Sequence, residues 1–318
     1  TASVACAAVL AAVRAQAGAG AGARLSAQRF LFLGAGEAGT GIADLIVLAL
    51  VRRHGLSEAE ARRRCVFLDS KGLVCASRLE GGGAGALPPG HPRRGLADHK
   101  VAYAHPLPFV RTLLEAVHAV RPTVLVGVST KRGAFTPDVL RALADGCARE
   151  GLRPLVMPLS NPTDMSECTY QDALAHAGDG VLFASGSPFP PCAAMGRLGP
   201  RRAPPQANNA YVFPAIGRAA YETCARAIDA EAFLVAAEAL AALPTDADVA
   251  DGALFPPVAS MAEASLKVCA AVCVHAQRSE AMRGRSRGVP ARSAAQWERY
   301  LARTSWSPAA ILPPRAKM

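Results

Sequence analysis

The sequence predicts an α/β fold: a doubly wound, mainly parallel sheet with helices on both faces and a helical C-terminal extension. Three observations predict it. Short, continuously apolar runs recur through the first two-thirds of the chain, the pattern of strands buried on both faces. Stretches with helical spacing separate them, as parallel connections require. A glycine-rich turn, Gly34-Ala35-Gly36-Glu37-Ala38-Gly39, joins the first apolar run to the first such stretch.

In chain order, residues 1–15 (TASVACAAVLAAVRA) read as an amphipathic helix that opens without a cap. Residue 1 is Thr, not Met, so the expectation is a chain that starts inside a longer one. Residues 17–23 alternate Ala and Gly, a flexible connector. Residues 29–34 predict the first strand and 37–53 a helix. The second strand is residues 65–69. Residues 81–92, rich in Gly and Pro, predict a surface insertion. A helix at 108–120 leads to a third strand at 123–128. The fourth and fifth strands are 154–161 and 180–185. Beyond about residue 215 the pattern is helical, with segments at 230–243 and 261–277. Residues 278–292, rich in Arg, Ser and Gly, predict a basic loop. The expected organisation is one nucleotide-binding domain over 1–277, with 1–28 its leading helix and linker. Residues 278–318 then form a basic loop and tail.

Composition narrows the classes. At 318 residues, 51% hydrophobic and 19% charged, the chain can bury a core and is not disordered. Apolar runs are broken by Arg, Gly or Pro, so no membrane span is expected. The nine cysteines are scattered with no CxxC pair. They predict buried thiols in a soluble, intracellular protein of a reducing compartment. The net charge of +10 points to an anionic partner. The arginine clusters at 62–64, 93–94, 201–202 and 283–287 are dispersed and lack interleaved aromatics, which argues against nucleic acid.

The turn at Gly34 is the strongest local signal. A glycine here permits the tight turn, Gly36 lets backbone approach a pyrophosphate, and Gly39 lets the helix pack close to the strand. The helix N-terminus presents free N–H groups to phosphate. The fold is therefore expected to be of the Rossmann type. Asp69 ends the second strand, where a carboxylate can accept from a ribose. It lies 30 residues after Gly39, beyond the usual spacing of about 20. Ser70 and Lys71 beside it suit a 2′-phosphate better than a bare hydroxyl. Asn161, in Ser160-Asn161-Pro162-Thr163, and the pair Asn208-Asn209 place carboxamides at strand or loop edges. An amide can hold a carboxylate or carbonyl without carrying charge, although Asx turns use the same residues. Glu37, Asp44 and Asp164 lie near these motifs but have no metal-site spacing.

Together the segments FLFLGAGEAGTGIADLIV, VFLDSKGLV, LSNPTDMSECTYQDA, VLFASGSPFPP, QANNAYVFPAIG and LFPPVASMAEASLKVC resemble the NAD(P)-binding half of malic enzymes. They occur in the family's order and, with residues 1–15, cover nearly all of 1–275. The C-terminal Trp297-Glu-Arg-Tyr-Leu and Ser305-Trp-Ser-Pro segments resemble the family more weakly.

The resemblance implies that Gly34, Ala35, Gly36, Glu37 and Gly39 form the dinucleotide turn and that Asp69 faces the adenosine ribose. Asn161 would serve the nicotinamide and malate, and Asn208 and Asn209 the substrate carboxylate. Thr1 would lie near the cofactor. Lys100, three residues before Tyr103-Ala104-His105, with Ser70 and Lys71, resembles the NADP form more than the NAD form. The implied reaction is oxidative decarboxylation of malate to pyruvate and CO₂ by a homo-oligomer, without a membrane partner. The acid, the base and the Mg²⁺ or Mn²⁺ ligands would lie in an N-terminal half absent here, so no catalytic or metal residue is expected in this chain. Two features depart from the family pattern. Ala207 replaces a glycine before the asparagines, and Thr130-Lys131-Arg132-Gly133 replaces an apolar or Gly-rich loop. The alternatives are a Rossmann dehydrogenase of another class, such as an amino-acid dehydrogenase, and a non-catalytic nucleotide-binding protein. The first gives no reason for the SNPT, FASGSPF and NNAYVFP segments together; binding of NADPH without turnover would favour the second.

Overall fold

A computed structural model describes residues 1–16, 24–79, 95–192, 203–283 and 289–305. The connector at 17–23, the insertion at 81–92 and the segment from Trp306 onward lie outside the described residues, as do arginines 93, 94, 201, 202, 285 and 287.

The chain begins with α1 (Ala2–Arg14), followed by β1 (Phe30–Leu33), α2 (Glu37–His54), α3 (Glu58–Arg63), β2 (Cys65–Asp69) and β3 (Gly72–Leu73). Next come α4 (Asp98–Val101), α5 (Leu113–Val120), β4 (Val124–Gly127), α6 (Pro137–Ala148), β5 (Leu155–Pro158), α7 (Tyr170–Ala177) and β6 (Leu182–Phe183). A helical run completes it: α8 (Phe213–Glu222), α9 (Ala230–Ala241), α10 (Asp246–Ala250), α11 (Met261–Arg278) and α12 (Ala294–Thr304).

One sheet has the order β3-β2-β1-β4-β5-β6. All pairings are parallel except β2–β3. The predicted α/β class and the five apolar strands are present. The short β3 was not predicted: two residues, Gly72 and Leu73, carry no periodicity. It forms because Gly72, at φ +122°, turns the chain back so that Leu73 pairs with Leu68.

Alternation along the strands feeds two cores. Phe30 and Phe32, Cys65 and Phe67, and Val124 and Val126 face the side covered by α1, α2, α9 and α11. Leu31 and Leu33, Val66 and Leu68, and Leu125 face α5, α6 and α7. Phe32 and Phe67 stack with ring centroids 4.5 Å apart. Because both faces are covered, the strand interiors are apolar and the runs read as continuous, with Asp69 the charged residue at the end of β2.

Local chemistry sets the helix ends. α2 stops at Gly55, which takes the left-handed conformation (φ 68°). Reciprocal capping boxes start α3 (Ser57/Glu60), α5 (Thr112/Glu115), α7 (Thr169/Asp172) and α12 (Ser293/Gln296). The α5 box places that helix's start at Leu113, five residues later than the apolar pattern suggested.

Two expectations change. The helix at 1–15 is buried nearly all round rather than amphipathic: Val4 through Val9, Ala11 and Ala12 are inside. Its small side chains allow both α9 and α2 to pack on it. Among the described residues one segment, Val258–Arg278, is long and apolar enough to cross a membrane by length and composition alone, with mean hydropathy 1.4. Here its Val268, Cys269, Val272 and Cys273 are buried in the core against α8, α9 and α12. All nine cysteines are free and seven are buried. Burial pushes the Cys6 and Cys147 thiols up to about 12, which keeps them protonated and unreactive.

Trp297 and Leu301 of α12 join the same core as α1 and α2. Trp297 is fully buried, its indole N–H donates to Gln277 Oε1 at 3.2 Å, and the Arg292 guanidinium lies 4.7 Å from its ring. Trp297→Ala is expected to cost about 3–5 kcal/mol, as large aromatic deletions from cores do. A denaturant titration that finds less than about 1 kcal/mol would show α12 to be dispensable.

Candidate functional site

The strand order reverses direction between β1 and β4, so a crevice opens beyond their carboxyl ends. The glycine turn lies there. Gly34 has φ +107°, and a Cβ on it would fall 2.5 Å from the Val128 carbonyl oxygen. A Cβ on Gly39 would fall 2.8 Å from Gly34 O and 3.1 Å from a Val128 methyl. Gly36, the residue before α2, has nothing within 4 Å of that position. The first and third glycines are thus required by close packing within the protein. The second leaves open space above the backbone. The first N–H groups of the 18-residue helix α2 are available beside it. Ala35 is buried and Glu37 is exposed. The Ala35 carbonyl accepts from His99 Nε2 at 2.9 Å, which fixes the turn from the far side.

Asp69 ends β2 with its carboxylate fully engaged. Arg78 grips it in bidentate fashion, Nη1 to Oδ1 at 2.9 Å and Nη2 to Oδ2 at 3.0 Å. Lys100 Nζ donates to Oδ2 at 3.0 Å, and the Lys71 backbone N–H to Oδ1 at 2.9 Å. Arg78 is itself 1% exposed and also donates to the Gly72 and Leu73 carbonyls. Burial pushes the Asp69 carboxyl up, but the hydrogen bonds from Arg78 and Lys100 outweigh it. They hold the carboxyl below the usual carboxylate range. Ser70 and Lys71 are exposed alongside. The surroundings of Asp69 therefore carry more positive than negative charge, and its oxygens already have partners. Sequence reading brought Asp69, Lys71 and Lys100 together but missed Arg78. Its link to Asp69 depends on the β2–β3 hairpin, which two residues do not announce.

The other side of the crevice is organised by Glu167, also missed. It is 0% exposed. Its Oε1 accepts from Ser129 N and Ser129 Oγ, both at 2.9 Å, and from Ser160 Oγ at 2.6 Å. Its Oε2 has no hydrogen-bond partner and lies against Gly127, where a Cβ would come within 2.6 Å. One buried carboxylate thus ties the loop after β4 to the loop after β5. The available sequence signal was the carboxylate itself, six residues after Asn161, but nothing in the spacing says it turns inward. Glu167→Ala is expected to destabilise the fold by about 2–4 kcal/mol, because it removes the acceptor of a part-buried N–H and of two hydroxyls, one of them buried. It should also speed amide exchange at Ser129 and Thr130. Unchanged exchange there would show that the two loops are held by something else.

Asn161 follows Ser160 and is exposed, its Oδ1 accepting from Ser187 Oγ at 2.7 Å. Gly186 packs so closely on Leu159 that no side chain fits. Gln206 bonds the Gly186 carbonyl and leads to Asn208 and Asn209. Asn208 caps its own turn by accepting from Ala210 N at 2.9 Å. Asn209 Nδ2 donates to Thr1 Oγ1 at 3.2 Å, joining residues 208 apart in sequence. Ala207 does not adopt positive φ and donates to Ser185 O at 2.7 Å, so the alanine fits without strain. Lys131 and Arg132 stand exposed after β4.

The glycine turn fits a dinucleotide, since Gly36 leaves an open cradle with helix N–H groups at its edge. A divalent cation does not fit the donors present. Among the described residues no three His, Cys, Asp or Glu side chains converge. Near Asn161 and Asn209 the polar groups are amides and hydroxyls, and Glu167 is committed to Ser129 and Ser160.

Residues 1–277 match the family model described as "Malic enzyme, NAD binding domain". The chain belongs to the malic enzyme family. It is 38% identical over 276 residues to the NADP-dependent malic enzyme of Phaseolus vulgaris, covering 87% of this chain and 42% of that protein. It is also 38% identical over 272 residues to NADP-dependent malic enzyme 2 of Arabidopsis thaliana, covering 86% and 42%. The chloroplastic NADP-dependent malic enzyme of Zea mays is 37% identical over 272 residues, covering 86% and 39%. The chain thus spans less than half the length of these relatives. Among solved structures, the malic enzyme of Entamoeba histolytica superposes with a TM-score of 0.66 at 20% identity, covering 95% of this chain and 52% of that one. The enzyme of Pyrococcus horikoshii gives 0.62 at 17%, covering 95% and 58%. These two likenesses show the shared fold, a Rossmann-type domain extended by helices.

Proposed function

We propose that this malic enzyme chain forms the NADP site of an oxidative malate decarboxylase and the amide side of its substrate clamp. The observation that carries the reading is the cluster at the end of β2, where Arg78, Lys100 and Lys71 surround one carboxylate. A ribose diol needs a free acceptor, and Asp69 is already gripped by two cations. A 2′-phosphate needs donors and positive charge, which Lys100 and Lys71 supply. Gly36 and the α2 N-terminus take the pyrophosphate. Asn161 would serve the nicotinamide side, and Asn208 and Asn209 would hold a malate carboxylate through amide N–H donors without adding a competing charge. Held by these residues, NADP⁺ would supply the hydride acceptor for C2 of malate. The proton acid, the proton base and the carboxylates for Mg²⁺ or Mn²⁺ come from protein outside this chain. A homo-oligomer would be assembled from the longer protein.

The reading is tested by titrating the purified chain with NADPH and NADH and following nicotinamide fluorescence. NADPH is expected to bind more tightly. Equal or tighter NADH binding would overturn the NADP assignment, and binding of neither would overturn the site. With malate and Mg²⁺ the chain alone is expected to form no NADPH; measurable turnover would show that it holds its own acid and base.

A further inference from the structure

A second pocket lies beneath the opposite, amino-terminal edge of the sheet, where β1 and β2 begin. Its volume is about 640 Å³, within the usual range for small-molecule sites. Its lining includes Arg29, Arg63 and Arg64 together with Leu56, Leu107 and Val120. Glu60 is the single carboxylate in the lining, and its Oε2 accepts from Ser57 N and Oγ at 3.0 and 2.6 Å in the α3 capping box. Arg29 is held by Glu150 at 2.6 Å. Arg63 and Arg64 make no side-chain hydrogen bond or ion pair with any described residue, unlike the adjacent Arg62, which pairs with Glu58 and Asp44. Two guanidinium groups therefore share the lining with Leu56, Leu107 and Val120 and have no hydrogen bond to a described residue, although both are close enough to Glu60 to help, after its Ser57 hydrogen bonds, to hold that carboxyl below its usual range.

We propose that this pocket binds an organic anion, a phosphate or carboxylate carried on an apolar body. The planar forks of Arg63 and Arg64 match the oxyanion, and Leu56, Leu107 and Val120 take the body. Both headgroups share this chemistry. The site is separate from the glycine turn, which lies at the carboxyl ends of the same strands. A ligand here and a dinucleotide there can bind together.

The test is calorimetric titration of the whole chain with phenyl phosphate and with benzoate, which between them identify the preferred headgroup. At least one is expected to bind, unaffected by saturating NADPH. The double variant Arg63→Gln, Arg64→Gln should weaken it about tenfold or more per arginine, the loss expected for charge-assisted hydrogen bonds. Arg63→Glu, a single change at an exposed position, should abolish binding while leaving the circular dichroism spectrum and NADPH affinity unchanged. No binding of either probe at millimolar concentration, equal binding to the double variant, or displacement by NADPH would each overturn the proposal.

Discussion

Lys100→Gln is expected to weaken NADPH binding by roughly 10- to 100-fold while changing NADH affinity by less than about threefold. The ammonium is one-fifth exposed and sits 3.0 Å from Asp69 at the rim of the crevice. It can donate outward to a phosphate while still balancing the carboxylate. Without it, Arg78 keeps Asp69 in place through both oxygens, so the hairpin survives and only the recognition of the extra phosphate is lost. Raising ionic strength should narrow the NADPH/NADH difference in the native chain and leave little to narrow in the variant. If both dinucleotides weaken equally, Lys100 serves the fold rather than the 2′-phosphate. The same cluster sets a pH dependence. The folded carboxyl of Asp69 lies below its unfolded value, so its contribution to stability is complete above about pH 4. That contribution is lost as pH falls through the lowered folded value, because the unfolded chain takes up the proton first. A denaturant midpoint followed from pH 5 downward should fall in the native chain and fall less in Asp69→Asn.

Gly34→Ala and Gly36→Ala are expected to fail in different ways. At Gly34 the methyl would meet the Val128 carbonyl at 2.5 Å, in a backbone conformation that L-residues rarely adopt. Strain and overlap together should cost about 3 kcal/mol or more, and the cofactor crevice should be lost with the turn. At Gly36 nothing lies within 4 Å and φ is −88°, so stability should change by less than about 1 kcal/mol. The same methyl would occupy the space a pyrophosphate needs, and dinucleotide binding should fall at least about tenfold. Thermal unfolding and dinucleotide titration of both variants separate the two roles. Loss of stability at Gly36, or its retention at Gly34, would reverse the assignment.

The parts of the site that were legible in the sequence are those made by neighbours along the chain. The turn at Gly34–Gly39 is one such part, because a strand, three glycines and a helix follow one another without interruption. Lys71 beside Asp69 is another. Arg78 and Glu167 were not legible. Each acts on a partner reached through a hairpin or across two loops, and neither stands in a pattern that separates it from a solvated charge. Thr1 and Asn209 meet only because α1 is buried against the helical half of the fold.

The sequence alone therefore carried the α/β class, the strand order's beginning at the glycine turn and the family resemblance, because apolar periodicity and turn chemistry are local properties of the chain. Tertiary structure decided which charges are spent and which are free. Asp69, expected to face a ribose, is closed by Arg78 and Lys100; Glu167 is drawn inside by Ser129 and Ser160. Arg63 and Arg64, indistinguishable from Arg62 in the sequence, are left without a hydrogen bond to any described residue and line a pocket with Leu56, Leu107 and Val120. Hydrogen-bond partners and burial are settled by packing between distant segments, and no residue's neighbours in sequence can supply that information.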